Sequence, residues 1–475
     1  MEWSRLLSPR RLGVDELEPP SVGRSEFQRD FDRIAFSSSF RRLPDKTQVV
    51  PLPASDFVRT RLTHSLEVSS VGRSLGVEVG RHIFTGEYEK AADLGSIVAA
   101  ACIAHDLGNP PLGHSGEDAI QHWFINEAGK ECISHLTKVQ QKDFQKYEGN
   151  AQGFRILARL QDRSRPGGLQ LTYATLAAFT KYPKESYVEN QDAIHRGKSS
   201  KKFGFFQEDK ESFFKIAEEL GLTKRDSGSY WWARHPLAFL VEAADDIAYL
   251  IIDFEDGYRL KRIEFNDIRE PFAKIVDDSR IINESKSIQE KELQIAFLRS
   301  KVINTLIDQV SKCFLTRQVQ ILAGSFDEEL IGEIPANKTL QHIRLISDKE
   351  VYAARDVAEI EAAGFEVLGG LLDAFVSATN DVAKNKDKAS KKSKKLVQLV
   401  PAQFLDQPNI PKEDDYSRIL QIVDFVSGMT DSYAVSLFKK QSREFHFQIL
   451  DRYKKGMTIK TQSFQKRGRD ELARV

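Results

Sequence analysis

The sequence predicts a mainly α-helical protein, because apolar residues recur at helical spacing along most of the chain and strand patterns are few and short. The segment 47–52 is too broken to build the core of a sheet, so at most a small β-hairpin is expected near residues 44–58. A chain of 475 residues is long enough for one large domain or for a few ordinary ones.

Helical patterns follow one another along the chain. Residues 62–80 place Leu62, Leu66 and Val71 at spacings of four and five, as in an amphipathic helix. An apolar stretch over 95–107 ends where Gly108 and a following proline supply a stop. Further helices are predicted at 151–161, 211–220, 236–255, 291–312, 350–379 and 416–440.

Two segments interrupt these patterns. Residues 190–210 are rich in lysine, serine and glycine, and we predict a surface excursion there. Residues 384–395 form a lysine run, for which a solvated loop is the favoured interpretation. The alternative is a basic arm that contacts the phosphate backbone of single-stranded nucleic acid.

Composition narrows the class of protein. Apolar residues make up 41% and charged residues 29%, which is typical of a soluble globular chain. The 69 basic and 69 acidic side chains balance, so no overall positive field indicates a nucleic-acid binder. Three unpaired cysteines exclude a disulfide framework or a zinc knuckle. Without a signal peptide or an apolar run of spanning length, a cytoplasmic location without membrane attachment is expected.

Histidine and aspartate residues on predicted helices are candidates for metal ligands. His64 shares a helical face with Val68 and Val71, and an inward histidine is by itself more often a core residue. His105 lies on a second apolar helix, next to Asp106. A carboxylate there is costly unless it is paired or bound to a metal.

A third piece lies in the helix over 236–255, where Asp245, Tyr249 and Asp253 stack on one face. Alone, this pattern would favour a solvated polar stripe. Combined with His64, His105 and Asp106, it offers nitrogen and oxygen ligands without a thiolate, which suits Mn, Fe, Co, Ni or Mg better than a structural zinc.

The segment after the His-Asp pair contains a possible acid–base pair. His114 and Glu117 lie three residues apart near the start of a predicted helix, where an imidazole can be oriented by a carboxylate. The alternative is an ordinary capping box in which Ser115 caps the helix.

These motifs resemble those of the deoxyguanosine triphosphate triphosphohydrolase family, which belongs to the HD-domain metal-dependent phosphohydrolases. The matching motifs, in chain order, are RTRLTHSLE (59–67), HDLGNPPLGHSGE (105–117), YEGNAQ (147–152), EAADDIAY (242–249) and GMTDSYA (428–434). The resemblance runs from about residue 24 to about residue 440 and implies an HD-domain helical phosphohydrolase fold with additional C-terminal helices.

The resemblance also implies roles for individual residues. The implied metal ligands are His64, His105, Asp106 and Asp245. Asp245 is chosen over its neighbour because the family aspartate stands four residues before a tyrosine. The implied catalytic pair is His114 with Glu117.

Further residues would bind substrate. Arg61 resembles a family arginine that contacts the α-phosphate. Tyr249 and Asp253 resemble the group that recognises the sugar 3′-hydroxyl. Gln48 resembles a glutamine that lies against the sugar and excludes ribose. Asn109 and Asn150 stand where animal relatives carry histidines, which is typical of the bacterial branch.

The resemblance predicts hydrolysis of deoxynucleoside triphosphates to deoxynucleoside and inorganic triphosphate. It predicts three regions: an N-terminal segment (1–54) with a substrate-contacting loop, an HD core (55–260) and a C-terminal helical region (261–475). A homo-oligomer such as a hexamer, with a nucleotide activator, is also implied. The alternatives are an HD-type phosphodiesterase or monophosphatase, and a nucleic-acid-binding regulator that uses the basic loop.

Overall fold

The structure is a computed structural model, and it describes residues 1–15, 23–46, 48, 59–353 and 355–441. The described residues form α-helices with short 3-10 and π turns, and none of them forms a strand. The prediction of a mainly α-helical protein is therefore confirmed. The predicted hairpin lies largely outside the described residues, and Phe40–Asp45 at its start is a 3-10 helix.

The helices alternate with short connections. Those of the first half are α1 (Trp3–Leu6), α2 (Glu26–Ala35), α3 (Arg61–Ile83), α4 (Tyr88–Ala104), α5 (His114–Asn126), α6 (Ala128–Cys132), α7 (Lys138–Gln145), α8 (Gly149–Arg155), α9 (Tyr173–Phe179), α10 (Gln191–Ile194) and α11 (Lys210–Leu220). Those of the second half are α12 (Pro236–Arg259), α13 (Phe265–Val276), α14 (Ser279–Ser287), α15 (Lys291–Ala323), α16 (Asn337–Ser347), α17 (Arg355–Asn385), α18 (Lys391–Val397), α19 (Asp415–Ser427) and α20 (Asp431–Gln441).

Helices α3 and α4 pack closely side by side, and α12 packs against both. The pair touches through small residues: a Cβ added at Gly76 of α3 would lie 2.8 Å from the Cα of Gly95 of α4. Only glycine permits this approach of the two backbones. It fixes the start of α3 relative to the end of α4, where the candidate histidines lie.

The buried apolar side chains form two clusters. The larger includes Val68, Ile97 and Leu240, from α3, α4 and α12 respectively. The smaller includes Ile120 and Leu368, which belong to α5 and α17. The candidate site lies where these clusters meet, because its ligand residues come from the helices of the first and His114 from the start of α5.

Several local predictions are wrong. The pattern over 416–440 is two helices, because the segment Gly428–Thr430 separates α19 from α20. The lysine run is not a loop: the end of α17, a 3-10 turn and α18 cover most of it. Residues 190–210 are not a mere surface excursion, since Ser199 and Phe205 are fully buried and Lys202 lines the candidate site.

One segment, Glu361–Lys388, is long and apolar enough to cross a membrane by length and composition. However, 56% of its apolar 18-residue stretch is buried inside the protein, as in the core helix of a globular protein. Leu368 and Phe375 on this segment belong to the smaller apolar cluster, which accounts for its hydropathy without a membrane.

Candidate active site

A cavity of about 530 Å³ opens between the two apolar clusters. Most of the predicted site residues line it: Gln48, Arg61, His64, His105, Asp106, Asn109, His114, Asn150, Asp245 and Tyr249. Two predicted residues do not. Asp253 is buried behind the wall, and Glu117 lines a neighbouring cavity.

Two histidines and an aspartate converge at the base of the cavity. Oδ1 of Asp245 lies 3.2 Å from Nε2 of His64 and 3.4 Å from Nε2 of His105. Asp106 joins them, since its Oδ2 lies 3.5 Å from the same nitrogen of His105. His64 is in the first turn of α3, His105 caps α4, and Asp245 lies in the middle of α12, so three helices define the cluster.

The cluster has the atoms that a metal ion needs. One ligand atom from each of His64, His105 and Asp245 lies within 4.8 Å of the other two. Oδ2 of Asp106 is buried without a hydrogen-bond partner, and buried polar atoms are seldom left so. Nδ1 of His105 donates to the Cys102 carbonyl at 2.7 Å, which leaves Nε2 to face the cluster. These residues fit a divalent cation.

Neighbouring charges set the protonation of the cluster. Burial lowers the pKa of His105, but the carboxylates of Asp106 and Asp245 outweigh it and raise that pKa to about 9. Burial likewise opposes ionisation of Asp245, yet the two imidazoles hold its pKa well below the ordinary value. The carboxylates therefore create a negative potential that also favours a divalent cation.

Arg61 is fixed beside the cluster. Its Nη1 donates to Oδ1 of Asp106 at 2.7 Å, and Asn109 donates to the same oxygen. The guanidinium is buried, and its Nε has no hydrogen-bond partner. The guanidinium of Arg61 is therefore held in a fixed orientation at the cavity wall, with hydrogen-bond donors still unused.

His114 and Glu117 form the pair that their spacing suggests. Nδ1 of His114 lies 3.0 Å from Oε2 of Glu117, and this hydrogen bond raises the pKa of His114. The imidazole is 81% exposed to the cavity, whereas the carboxylate is buried. The capping-box alternative is wrong, because α5 begins at His114 itself and its N-cap, Gly113, makes no side-chain cap.

A tight backbone contact holds Glu117 in place. Its Oε1 accepts the backbone N–H of Gly149 at 2.7 Å. The start of α8 at Gly149 also lies close to the segment that follows α4. A Cβ added at Gly108 in that segment would lie 2.0 Å from the carbonyl oxygen of Gly149. The glycine that ends the predicted helix, Gly108, is therefore also needed for the close packing around His114 and Glu117.

Two stacked tyrosines form the opposite wall. The rings of Tyr249 and Tyr352 lie 5.6 Å apart and are nearly parallel, at 10°. The hydroxyl of Tyr352 donates to Oδ2 of Asp253 at 3.1 Å. Burial raises the pKa of Asp253 to about 7. Asp253 thus acts on the cavity through Tyr352.

The sequence analysis did not identify two lysines that line the cavity. Lys181 and Lys202 line the cavity, and each is held by a buried carboxylate. Lys181 Nζ lies 3.2 Å from Glu242, and Lys202 Nζ lies 2.9 Å from Glu148. Neither lysine stands in a helical pattern, and their partners lie tens of residues away. A lysine beside a motif is too common to mark such a position.

The fold and the cavity define a class of protein, the HD-domain phosphohydrolases. The HD domain family matches residues 61–166, and the phosphohydrolase-associated domain family matches residues 334–440. The first match contains His64 and His105, and the second contains Tyr352. HD domains are metal-dependent, in agreement with the His/His/Asp cluster.

Whole-chain relatives narrow the class to a family. A deoxyguanosinetriphosphate triphosphohydrolase-like protein of Synechocystis sp. is 43% identical, over 93% of this chain and 99% of the relative. A protein of the same description from Pseudomonas aeruginosa is 38% identical over the same shares. A deoxyguanosinetriphosphate triphosphohydrolase of Salmonella arizonae is 27% identical, over 87% and 93%. This chain belongs to the deoxyguanosinetriphosphate triphosphohydrolase-like family.

Proposed function

We propose that this protein hydrolyses deoxynucleoside triphosphates between the 5′ oxygen and the α-phosphorus, releasing deoxynucleoside and inorganic triphosphate. The observation that carries the proposal is the cluster of His64, His105 and Asp245 beside the buried guanidinium of Arg61. The site combines a place for a divalent cation with a fixed cation at a single cavity. During hydrolysis of a phosphate ester, both cations can stabilise the negative charge on the phosphoryl oxygens.

His64, His105, Asp106 and Asp245 would hold the divalent ion. When bound, such an ion polarises a phosphoryl oxygen and lowers the pKa of water. Nitrogen and oxygen donors without a thiolate suit Mn, Mg, Fe, Co or Ni. Asp106 has a second role, since it also orients Arg61.

The phosphate chain would lie along the cationic wall. Arg61 has N–H groups left for an equatorial oxygen of the α-phosphate, which a guanidinium binds in fork geometry. Lys181 and Lys202 would neutralise the outer phosphates. Glu242 and Glu148 hold these ammonium groups in place before substrate binds, so less ordering is needed on binding.

His114 would handle the proton at the reacting oxygen. Its exposed imidazole faces the cavity, and Glu117 fixes the ring through Nδ1, so Nε2 is presented to the substrate. A positioned acid or base of this kind contributes roughly 10²–10⁴-fold to the rate.

The sugar and base would lie toward Gln48 and Tyr249. Oε1 of Gln48 is buried without a partner, which leaves an acceptor at the cavity wall. Tyr249 and, through Tyr352, Asp253 provide groups that can recognise the 3′-hydroxyl. Asn109 and Asn150 complete the wall near the metal cluster.

Chromatographic analysis of products tests the proposal. Each deoxynucleoside triphosphate is incubated with the protein and Mn, Mg or Co, with a chelator as the control. We expect equimolar deoxynucleoside and inorganic triphosphate, and none with the chelator. Inorganic monophosphate without triphosphate would instead indicate an HD-type phosphodiesterase or monophosphatase.

Three properties implied by the family resemblance are proposed with it: a homo-oligomeric assembly, a response to a nucleotide activator, and a cytoplasmic location. Binding of single-stranded nucleic acid by residues 384–395 stays the alternative: the segment is largely helical, and its lysines are exposed.

A further inference from the structure

A second cavity of about 500 Å³ lies beside the catalytic cavity. The two share His114 and Lys202 in their walls. Three other lysines, Lys146, Lys184 and Lys201, line the second cavity alone. The shared residues make the two cavities neighbours along one cationic surface. We call the second cavity the lysine pocket.

Lys184 is the unusual member of this pocket. Only 2% of the residue is exposed, and lysine is almost never so buried unless it is paired with an acid. Its ammonium donates to the neutral amide oxygen of Gln191. Among the described residues, no carboxylate lies within ion-pair distance of Lys184. By contrast, the buried guanidinium of Arg155 contacts three carboxylates.

Lys146 and Lys201 are also outside every ion pair formed by the described residues. Lys146 donates weakly to the Ser186 carbonyl at 3.4 Å. Burial and the charge of Lys146 lower the pKa of Lys184 to about 8, although the carboxylates of Glu185 and Asp192 oppose them. Like charges are therefore held together around a concave surface, an arrangement that a bound anion would stabilise.

The acidic groups of the pocket do not cancel these charges. Glu117 and Glu148 are occupied by Lys202, His114 and backbone or amide donors. The third acidic residue of the pocket, Asp118, is exposed at the wall and has none of these partners. Lys146, Lys184 and Lys201 therefore line the pocket outside every ion pair of the described residues, with the single free carboxylate of Asp118 beside them.

We propose that the lysine pocket binds an oligophosphate anion, and that its source is the inorganic triphosphate released from the catalytic cavity. The inference rests on the proposed function for its source, but not for the binding chemistry. Phosphate oxygens accept charge-assisted hydrogen bonds from ammonium groups, and several phosphates can engage several lysines at once. Lys202 borders both cavities, so the product passes from one group of cations to the next.

The test is a calorimetric titration with inorganic triphosphate, with the catalytic cavity filled by a non-hydrolysable deoxynucleoside triphosphate analogue. The double variant Lys146→Gln/Lys201→Gln removes two exposed charges and leaves the catalytic residues unchanged. We expect at least tenfold weaker binding, which corresponds to about 1.4 kcal/mol, because two charged hydrogen bonds to the anion are lost. The matched control is Lys215→Gln/Lys274→Gln, which removes two exposed charges outside the pocket and should leave the dissociation constant unchanged.

Turnover separates this pocket from the catalytic site. In the double variant, kcat/KM should stay within about twofold of the wild type, while the inhibition constant of inorganic triphosphate rises about tenfold. An unchanged inhibition constant and unchanged binding would overturn the proposal. A fall in kcat/KM that matches the loss of binding would also overturn it, because the lysines would then belong to the catalytic site.

A second arm identifies the source of the anion. Two analogue molecules bound per chain, with the second lost in the double variant, would indicate the phosphate tail of a second nucleotide rather than the product. The titration itself needs no turnover. If the protein binds triphosphate through these lysines but hydrolyses no deoxynucleotide, the proposed function fails and the anion site stands.

Discussion

His105 links the two carboxylates of the candidate metal cluster, since its Nε2 faces both Asp106 and Asp245. We expect His105→Ala to lower metal-dependent turnover by roughly a thousandfold or more, because a bound metal supplies several kcal/mol of transition-state stabilisation. The helix should persist, since alanine is the best helix former and His105 lies at the C-cap.

Metal content measured by mass spectrometry, together with turnover and circular dichroism, checks this expectation. His82→Ala, an exposed histidine near the end of α3, serves as the control. Retained turnover in His105→Ala would show that the cluster is not the metal site.

The contact between His114 and Glu117 makes a prediction about pH. The carboxylate stabilises the imidazolium and so raises the pKa of His114. In Glu117→Gln the neutral amide cannot do so, and the pKa of His114 should fall toward its ordinary value. The limb of the pH–rate profile that reports His114 should therefore move to lower pH, whether the neutral or the charged imidazole is the active form.

A titration of the histidine signals by NMR measures this pKa directly. Glu127→Gln, which removes the exposed partner of His122, should leave the His114 signal unchanged. A pKa of His114 that stays raised in Glu117→Gln would mean that another group controls it.

Sequence patterns predicted which side chains line the candidate cavity better than they predicted the residues that hold these side chains in place. Repeated apolar spacing placed His64 and His105 on inward faces, and a spacing of three joined His114 to Glu117. Lys202 was missed because its partners, Glu117 and Glu148, lie in distant segments. No local pattern marks a contact that only the tertiary fold creates.

At the level of helices, long periodic segments were predicted well and their ends less so. The pattern over 62–80 became Arg61–Ile83, extended by one residue at its start and three at its end. The pattern over 416–440 concealed a break at residues 428–430, between the end of α19 at Ser427 and the start of α20 at Asp431. The lysine run became helical because Ser390 caps α18 and Val397 is buried.

The close contact between α3 and α4 predicts a sensitive position at Gly76. In Gly76→Leu the new side chain would meet the backbone of Gly95, and separating the helices should cost about 1–3 kcal/mol of the free energy of unfolding. His64 lies in α3 and His105 at the end of α4, so separating the helices should move these ligands apart and lower the affinity for metal.

Urea denaturation and metal titration measure the two effects. Ser74→Leu puts the same side chain on the exposed face of α3 and should change neither quantity. Wild-type stability and metal affinity in Gly76→Leu would contradict the view that this contact positions the ligands.

At the scale of the molecule, the candidate cavity is lined by regions far apart in the chain. The residues matched by the HD domain family supply His64, His105 and Asp106, and those matched by the phosphohydrolase-associated domain supply Tyr352 and Asp348 of the wall. Asp245 comes from α12, between the two matched regions. Buried polar contacts join the regions: Arg155 binds Asp424 at 2.8 Å, and Gln152 donates to the same carboxylate. Nothing in the spacing of these residues could predict this pairing, since 269 positions separate Arg155 from Asp424.

This junction predicts that Arg155 stabilises the whole molecule. Arg155→Met would leave Asp424 buried without its cation, whereas Asp209 would keep Arg159. Removal of one partner from such a buried pair costs about 3–5 kcal/mol of the free energy of unfolding. Burial already raises the pKa of Asp424 although Arg155 opposes it, and without Arg155 that pKa should rise further. Because the folded variant then takes up protons more readily than the unfolded chain, its stability should increase as the pH falls from 8 to about 5.

Urea denaturation at both pH values measures this, with the exposed Arg165→Met as the control. A small loss of stability that does not depend on pH would mean that the two regions are held together by their apolar contacts alone.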